Sequence, residues 1–167
     1  MTLDSGLLLG APRLRILGTD LVTVQSTLFL PFCDKEGGVD VSETWAKGIK
    51  QTLLSGAVRF LPGGVRHNVT LNYALYDPLY SAKALGKTVG AADGNVPELT
   101  DLYDAIATYN VGRLSISPCT NKEIWYRCYC TSDLKRATIY PAGFGNISLT
   151  FEGADVYANT SSTTTIG

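Results

Sequence analysis

The sequence is poor in charged residues and contains no long apolar run. Asp, Glu, Lys and Arg make up 17% of the 167 residues, against about 25% in a typical soluble domain. A soluble monomer depends on surface charge to stay dispersed, so the shortage favours a protein whose surface is partly covered by other chains. No apolar run approaches the roughly 20 residues of a membrane span. The sequence therefore predicts no association with a membrane.

Histidine is nearly absent, and the motifs of the common enzyme classes are missing. His67 is the only histidine, and no obvious nucleophile stands beside it. The chain has no G-x-S-x-G, P-loop or G-x-G-x-x-G, which are motifs for nucleophilic catalysis, phosphate binding and dinucleotide binding. Asp101 and Asp104 could pair as acid and base on a helix, but a solvated helix face explains them better. The sequence predicts neither an enzyme nor a cofactor.

Cysteine is present but lacks the spacing of a metal site. The four cysteines are Cys33, Cys119, Cys128 and Cys130, and no C-x-x-C occurs. A zinc site needs about four Cys or His ligands at characteristic spacing. On a strand, Cys128 and Cys130 would share a face. We expect the cysteines to pack as small hydrophobic side chains in a reducing compartment.

The charge balance and the N-terminus exclude two further classes. The formal net charge is −1 at pH 7, so no overall field attracts nucleic acid. Residues 1–17 contain a short apolar patch, but Asp4 precedes it and no basic region does. These residues make a poor signal peptide, and we expect the chain to fold in a cytosol.

Length and pattern predict one β-rich domain. A chain of 167 residues fits a single core, which we assign to residues 1–157, with residues 158–167 as a flexible Ser/Thr-rich tail. In the segment 146–158, Ile147, Leu149 and Phe151 alternate with polar residues, as in a half-buried strand. Similar β-prone segments are residues 13–32, 49–60, 66–76, 112–118, 123–133 and 136–143. Pro62-Gly63-Gly64 predicts a hairpin between the segments 49–60 and 66–76.

One helix and two loops complete the prediction. Residues 97–110 carry an apolar stripe at helical spacing, formed by Leu99, Leu102, Tyr103, Ile106 and Ala107, and acidic residues near the start suit the helix dipole. Residues 33–48 are predicted to form an exposed loop or long hairpin, and residues 77–96 a loop. The predicted class is mainly β (α+β): a sandwich or barrel with one flanking helix.

Aromatic residues suggest either a binding platform or an interface. The candidates for stacking on bases or sugars are Phe60, Tyr73, Tyr76, Tyr80, Trp125, Tyr126 and Tyr129, because aromatic faces bind such groups. Around Trp125 and Tyr126, however, both faces of the predicted strand carry aromatics. Such a strand is buried between layers or against another subunit.

The order of segments resembles a known family. The resemblance runs through "GAVRFLPGGVRHNVTLNYALYDP", the helix "ELTDLYDAIATYN", "GRLSISPCTNKEIWYRCYCTSD" and the closing "GNISLTFEGADVY", or about residues 49–157. It is similar to the distal tail proteins of long-tailed phages and, more broadly, to the tail-tube superfamily. The family has no short invariant motif, so the resemblance is one of segment order. This chain lacks room for the additional C-terminal domain of many distal tail proteins.

The resemblance implies a structural virion protein assembled in the bacterial host cytoplasm. It implies a tail-tube fold whose subunits close into a ring, expected to be a hexamer, that joins the tail tube to the hub. The partners would be the tail-tube and hub proteins, and double-stranded DNA would pass through without specific binding. Alternatives are a major tail-tube protein and a monomeric β-sandwich carbohydrate-binding module that uses Trp45, Trp125 or nearby tyrosines.

Two regions are the candidate subunit contacts of such a ring. They are the polar segment from Lys35 to Lys47 and the segment from Pro78 to Val96, whose small residues allow close approach. The candidate contact residues are Lys35, Glu36, Trp45, Lys47, Tyr80, Lys83 and Lys87.

Overall fold

A computed structural model describes residues 11–33, 38–45, 49–61, 65–118, 124–134, 139–140 and 143–153. The predicted tail, residues 158–167, lies outside the described residues. The elements in chain order are β1 (Arg13–Leu17), β2 (Val24–Phe29), β3 (Val39–Trp45), β4 (Ile49–Thr52), β5 (Val58–Leu61), β6 (Val65–Tyr76), α1 (Pro78–Leu85), α2 (Leu99–Tyr109), β7 (Leu114–Ser117), β8 (Tyr126–Cys130), β9 (Ile139–Tyr140) and β10 (Gly143–Glu152). The mainly β, α+β class predicted from the sequence is confirmed.

Seven strands form one antiparallel sheet in the order β2-β1-β7-β8-β10-β6-β3, and β9 pairs with β10. Strand β8 joins its two halves, because Tyr126 and Cys128 pair with β7 whereas Tyr129 and Cys130 pair with β10. Buried side chains from both halves and from α2 meet in a single cluster. The sheet is therefore folded over a shared core.

The alternation predicted for the last strand is confirmed. Ile147, Leu149 and Phe151 of β10 are buried. Their partners on β6 are Tyr73, Leu71 and Val69, all buried as well. On the opposite face, Ser148 is exposed and Thr150 is half-buried.

The predicted helix is confirmed as α2, with small differences. Leu99, Leu102, Tyr103 and Ile106 are buried, because side chains three and four residues apart share a helix face. Ala107 was assigned to this stripe but is exposed, so that assignment is wrong.

Asn110 ties the end of α2 to β8. Its Nδ2 donates to Cys130 O at 3.0 Å, and Cys130 N donates to its Oδ1 at 2.8 Å. The side-chain amide thus bonds Cys130 as a neighbouring strand would. We expect Asn110→Ala to lower the free energy of unfolding by about 2 kcal/mol, since two part-buried backbone groups lose their partner. Urea denaturation measures this.

Thr108→Ala is the matched control for Asn110. The hydroxyl of Thr108 donates to Asp104 O within the helix and is exposed, so we expect a change below about 0.5 kcal/mol. Equal losses for the two variants would contradict the structural role of the Asn110 bridge.

The segment 77–96 was predicted to be a loop, and this is wrong for its first half, which forms α1. Asp77 caps the helix by accepting a hydrogen bond from Tyr80 N at 3.1 Å, and Pro78 occupies the first turn. Gly86 ends the helix with φ of 68°, a left-handed conformation that glycine adopts without strain. The described part of the chain therefore has two helices rather than one, and neither is long and apolar enough to cross a membrane.

The hairpin predicted around Pro62-Gly63-Gly64 is also wrong. Strand β5 pairs with β4, and β6 pairs with β3 on one side and β10 on the other. Residues 62–64 themselves lie outside the described residues. The segment 33–48 was predicted to be an exposed loop or a long hairpin. It contributes β3, which is antiparallel to β6 as one strand of a long hairpin would be.

Candidate assembly surfaces

Strands β4 and β5 form a second hairpin in register with the β3–β6 pair. Trp45 lies opposite Val65, and Ile49 lies opposite Leu61. Three residues separate Trp45 from Ile49, and three separate Leu61 from Val65. The β4–β5 pair therefore has the same register as the β3–β6 pair. We call the hairpin Ile49–Leu61 the arm.

The tip of the arm is a tight turn with exposed apolar side chains. Leu53 N donates to Ala57 O at 2.8 Å, and Gly56 N donates to Leu53 O at 2.9 Å. Every side chain from residue 51 to residue 58 is exposed, including the large apolar groups of Leu53, Leu54 and Val58. Leu54 is fully exposed. A projecting apolar cluster of this kind is typical of a contact site for another molecule.

The two ends of the seven-stranded sheet differ. At β2, Thr27 N donates to Asp93 Oδ1 at 2.7 Å, Gly94 N donates to Thr27 O at 2.7 Å, and Phe29 N donates to Asn95 O at 3.0 Å. A loop thus covers this edge. At the other end, β3 pairs with β6, and within the described residues no further strand adjoins it. An open edge presents backbone N–H and C=O groups to another chain.

A cleft of about 330 Å³ lies between α2 and strands β1 and β2. The buried side chains of Ile16 and Leu28 contribute to its lining from the sheet. From α2, Ala105 and Tyr109 add apolar surface, and the carboxylates of Asp101 and Asp104 add negative charge. The two acids proposed as an acid–base pair therefore border an apolar cleft.

Arg113 holds one wall of this cleft in place. Its Cζ lies 4.8 Å from the centroid of the Tyr109 ring, its Nε donates to Leu17 O at 2.8 Å, and its Nη2 donates to Gln25 Oε1 at 2.7 Å. The guanidinium thereby links the end of α2 to β1 and β2. Tyr109, which lines the cleft, therefore packs against a side chain that is itself hydrogen-bonded to two strands.

Helix α1 presents another exposed surface. Leu79 is 73% exposed and Tyr80 is 66% exposed, and the Tyr80 ring centroid lies 6.3 Å from that of Phe32. The Nζ of Lys87 lies 4.6 Å from the centroid of the Phe29 ring. This surface therefore combines apolar groups with lysines.

The sequence-predicted contact residues divide into two groups. Tyr80, Lys83 and Lys87 lie on α1 or just after it, so the structure brings these three together. The backbone of Trp45 ends β3, and its side chain lies outside what the structure describes. The residues outside the described ranges are Lys35, Glu36 and Lys47.

The arm tip was not among the predicted contacts. A signal existed in the dipeptide Ser55-Gly56, which commonly marks a turn, between the β-prone segments 49–52 and 58–61. The hairpin prediction rests instead on the Pro-Gly-Gly signal at residues 62–64.

The aromatic platform is not formed at the predicted central positions. Trp125 is 1% exposed, and Tyr73 and Tyr76 are buried with their hydroxyls donating to Pro31 O and Pro97 O. These three side chains cannot stack on a sugar or a base without unfolding. Trp125 is therefore excluded as a sugar-binding residue of the carbohydrate-binding alternative.

The chemically reactive residues occupy structural positions. His67 stacks on Tyr126 with ring centroids 4.7 Å apart, and its Nε2 lies 3.4 Å from Glu43 Oε1. Cys128 and Cys130 belong to the core, as predicted, and burial raises the pKa of both thiols. A buried thiol with a raised pKa is a poor nucleophile. The structure contains no cluster of three metal-ligating residues within its described ranges.

Comparison with known proteins gives no indication of function, so the inference of function depends on the surfaces described above. No family model, no curated protein and no solved structure matches the chain.

Proposed function

We propose that the chain is a ring-forming structural subunit of a phage tail, in the position of a distal tail protein. Its copies would close into a hexamer around the DNA channel and join the tail tube to the hub. The observation that carries the proposal is the asymmetry of the sheet: residues 93–95 cover its β2 end, whereas among the described residues no strand adjoins β3 on its outer side.

The asymmetry supports head-to-tail association. A sheet edge left open in a monomer tends to pair with other chains without control. Here one edge is protected because Gly94 N donates to Thr27 O and Asp93 Oδ1 accepts from Thr27 N, while β3, at the other end, is in register with the arm. An interface between two different surfaces of one chain produces a ring when its rotation closes.

The composition supports a conduit with little affinity for its cargo. A net charge of −1 gives no overall attraction for the phosphate backbone. Low surface charge suits subunits that cover one another. The α1 surface with Tyr80, Lys83 and Lys87 is then available to the tail-tube protein, the hub or a neighbouring subunit.

Size-exclusion chromatography with light scattering tests the proposal. We expect a particle of six copies of 17.9 kDa, about 107 kDa, since closed cyclic assemblies have a fixed stoichiometry. Negative-stain images should show rings with a central hole. A particle that stays at the monomer mass across the micromolar range, in low and moderate salt, would contradict the proposed function.

A further inference from the structure

We infer that helix α1 of one copy docks against the outer side of strand β3 of the next copy. The inference rests on the proposed function and specifies which two surfaces form the ring contact. The first, the α1 surface, consists of Leu79, Tyr80, Lys83 and Lys87. The second, the β3 edge, consists of Asp40, Val41, Ser42 and Glu43. All eight side chains are exposed, and the partner is a second copy of the chain.

The two surfaces carry opposite charges. Residues 78–92 contain Lys83 and Lys87 and no acidic residue, whereas residues 38–45 contain Asp40 and Glu43 and no basic residue. The Glu43 carboxylate lies 3.4 Å from His67 Nε2, yet its side chain is still 51% exposed. Opposite charges across an interface guide association and fix its register. Charge therefore favours contact between the α1 surface and the β3 edge of another copy.

Both surfaces also have apolar groups beside their charges. Lys83 follows Tyr80 by three residues and Leu79 by four, so these side chains share one side of the helix. Leu79 and Tyr80 are exposed, and on the edge Val41 is 42% exposed although it follows the core alternation of β3. Removing apolar surface from water contributes about 25 cal/mol per Å². Docking would therefore bury apolar surface as well as pair charges.

The β3 edge leaves backbone groups for a partner. Gly38 O accepts from Asn72 N at 3.0 Å, and the positions that bond a given neighbour alternate along an antiparallel strand. The backbone N–H and C=O groups of Val39, Val41 and Glu43 are therefore directed away from β6. Lysine ammonium and tyrosine hydroxyl groups can donate to such carbonyls. A helix laid over a strand is one way in which proteins protect a sheet edge, so the β3 edge suits α1 better than an acidic surface without an open strand.

Within one copy the two surfaces lie apart. The Nζ of Lys87 lies 4.6 Å from the centroid of the Phe29 ring on β2, the strand at the opposite end of the sheet order from β3. Asp40 pairs with Thr70, six residues before β6 ends at Tyr76 and the chain enters α1. Six residues of strand span about 20 Å. The lysines of one copy are therefore placed to meet the acids of another copy.

The arrangement defines a heterologous contact. Each copy has one α1 surface to donate and one β3 edge to accept. Repetition of such a contact generates a ring if it closes and a filament if it does not. The arm continues the β3–β6 pair, so its tip is an additional part of the same side of the subunit.

Reciprocal charge reversal in two separate chains tests the contact. The acidic-helix variant carries Lys83→Glu and Lys87→Glu, and the basic-edge variant carries Asp40→Lys and Glu43→Lys. Measured alone by light scattering over a concentration series, each should associate at least about tenfold more weakly than wild type, because like charges then face each other. An equimolar mixture should recover to within about threefold of wild type, because in alternating order every helix meets an edge of opposite charge.

A matched variant controls for net charge. Asp104→Lys with Asp133→Lys changes the net charge as much as the basic-edge variant does, at exposed positions outside both surfaces. We expect it to change association by less than about twofold. Circular dichroism should be unchanged for all these chains, since every substituted side chain is exposed.

A pair of apolar substitutions tests the packing part of the contact. Leu79→Ser should weaken association about tenfold, as expected for an apolar group buried in an interface. Val111→Ser, at the comparably exposed Val111 just after α2, should change it by less than about twofold. Equal effects of the two substitutions would contradict docking through α1.

These results distinguish the two proposals. Rings that form normally in both charge-reversed chains, or reversed chains that do not recover on mixing, overturn the α1–β3 contact and leave the ring function standing. Recovery on mixing that yields open filaments supports the contact and contradicts the ring. A wild-type chain that is always monomeric overturns both.

Discussion

Trp125→Ala lowers the free energy of unfolding by about 4 kcal/mol, because truncating a buried tryptophan typically costs 3–5 kcal/mol. Trp125 is 1% exposed, and the Cζ atoms of Arg15 and Arg13 lie 3.8 and 4.9 Å from its ring centroid. A cation over an indole ring adds about 1–2 kcal/mol when it is shielded from water. Urea denaturation followed by circular dichroism measures the loss.

A cycle of variants separates ring packing from the interaction with the arginines. Trp125→Phe keeps a smaller aromatic ring and should lose about half as much stability. Arg15→Met combined with Trp125→Ala should lose less than the sum of the two single losses, since both remove the same contact. A Trp125→Ala variant within 1 kcal/mol of wild type would show that Trp125 does not anchor its packing with Arg13 and Arg15.

The sequence predicted local structure correctly where a strand or helix buries a single face against the core. Ile147, Leu149 and Phe151 alternate in a strand paired on both sides, so period-two spacing is sufficient to assign their face. The same reasoning identified the stripe of α2. In β6, Val69, Leu71 and Tyr73 are buried in the same alternation, which ends at Tyr76: this residue is buried whereas Leu75 is half-buried, and its hydroxyl donates to Pro97 O, a contact distant in sequence.

Helix α1 was missed although its end signals are in the sequence. Asp77, Pro78 and Gly86 are a cap, a first-turn residue and a stop, but only Ser81 and Ala82 are buried, so the helix has no broad apolar stripe. Tertiary contacts complete it: Phe32 N donates to Ser81 Oγ at 3.0 Å. A prediction based on hydrophobic periodicity does not detect a helix that buries only small residues.

The candidate assembly surfaces were only partly predictable because they depend on strand pairing. Low charge predicted contact with other chains, and α1 residues were among the candidates. Which hairpin projects depends on β6 taking β3 and β10 as neighbours, a choice made by distant segments and not by the turn at residues 62–64. The cleft likewise joins α2 to strands about 75 to 90 residues earlier in the chain, and local sequence carries no sign of it.

We expect that replacing residues 50–60 by Asn-Gly abolishes the proposed assembly and leaves a folded monomer. Ile49 and Leu61 are paired, so a two-residue turn can join them, and Asn-Gly favours the turn type that matches strand twist. The described side chains from 51 to 58 are exposed, so their removal should change the free energy of unfolding by less than about 1 kcal/mol. Light scattering should give the mass of a single copy.

A second variant shows whether the arm acts through its tip or through its length. Leu53→Ser with Leu54→Ser keeps all thirteen residues of the arm and removes the two exposed leucines of its tip. Since apolar burial is the main favourable contribution of the tip, we expect this variant to be monomeric at concentrations where wild type forms rings. The shortened chain should also act as a terminator, because it retains the rest of its surface but donates no arm. Mixed with wild type, it should cap growing chains of subunits and yield incomplete arcs in negative-stain images. Full rings formed by the shortened chain alone would show that the open β3 edge is sufficient for assembly and that the arm contributes little to it.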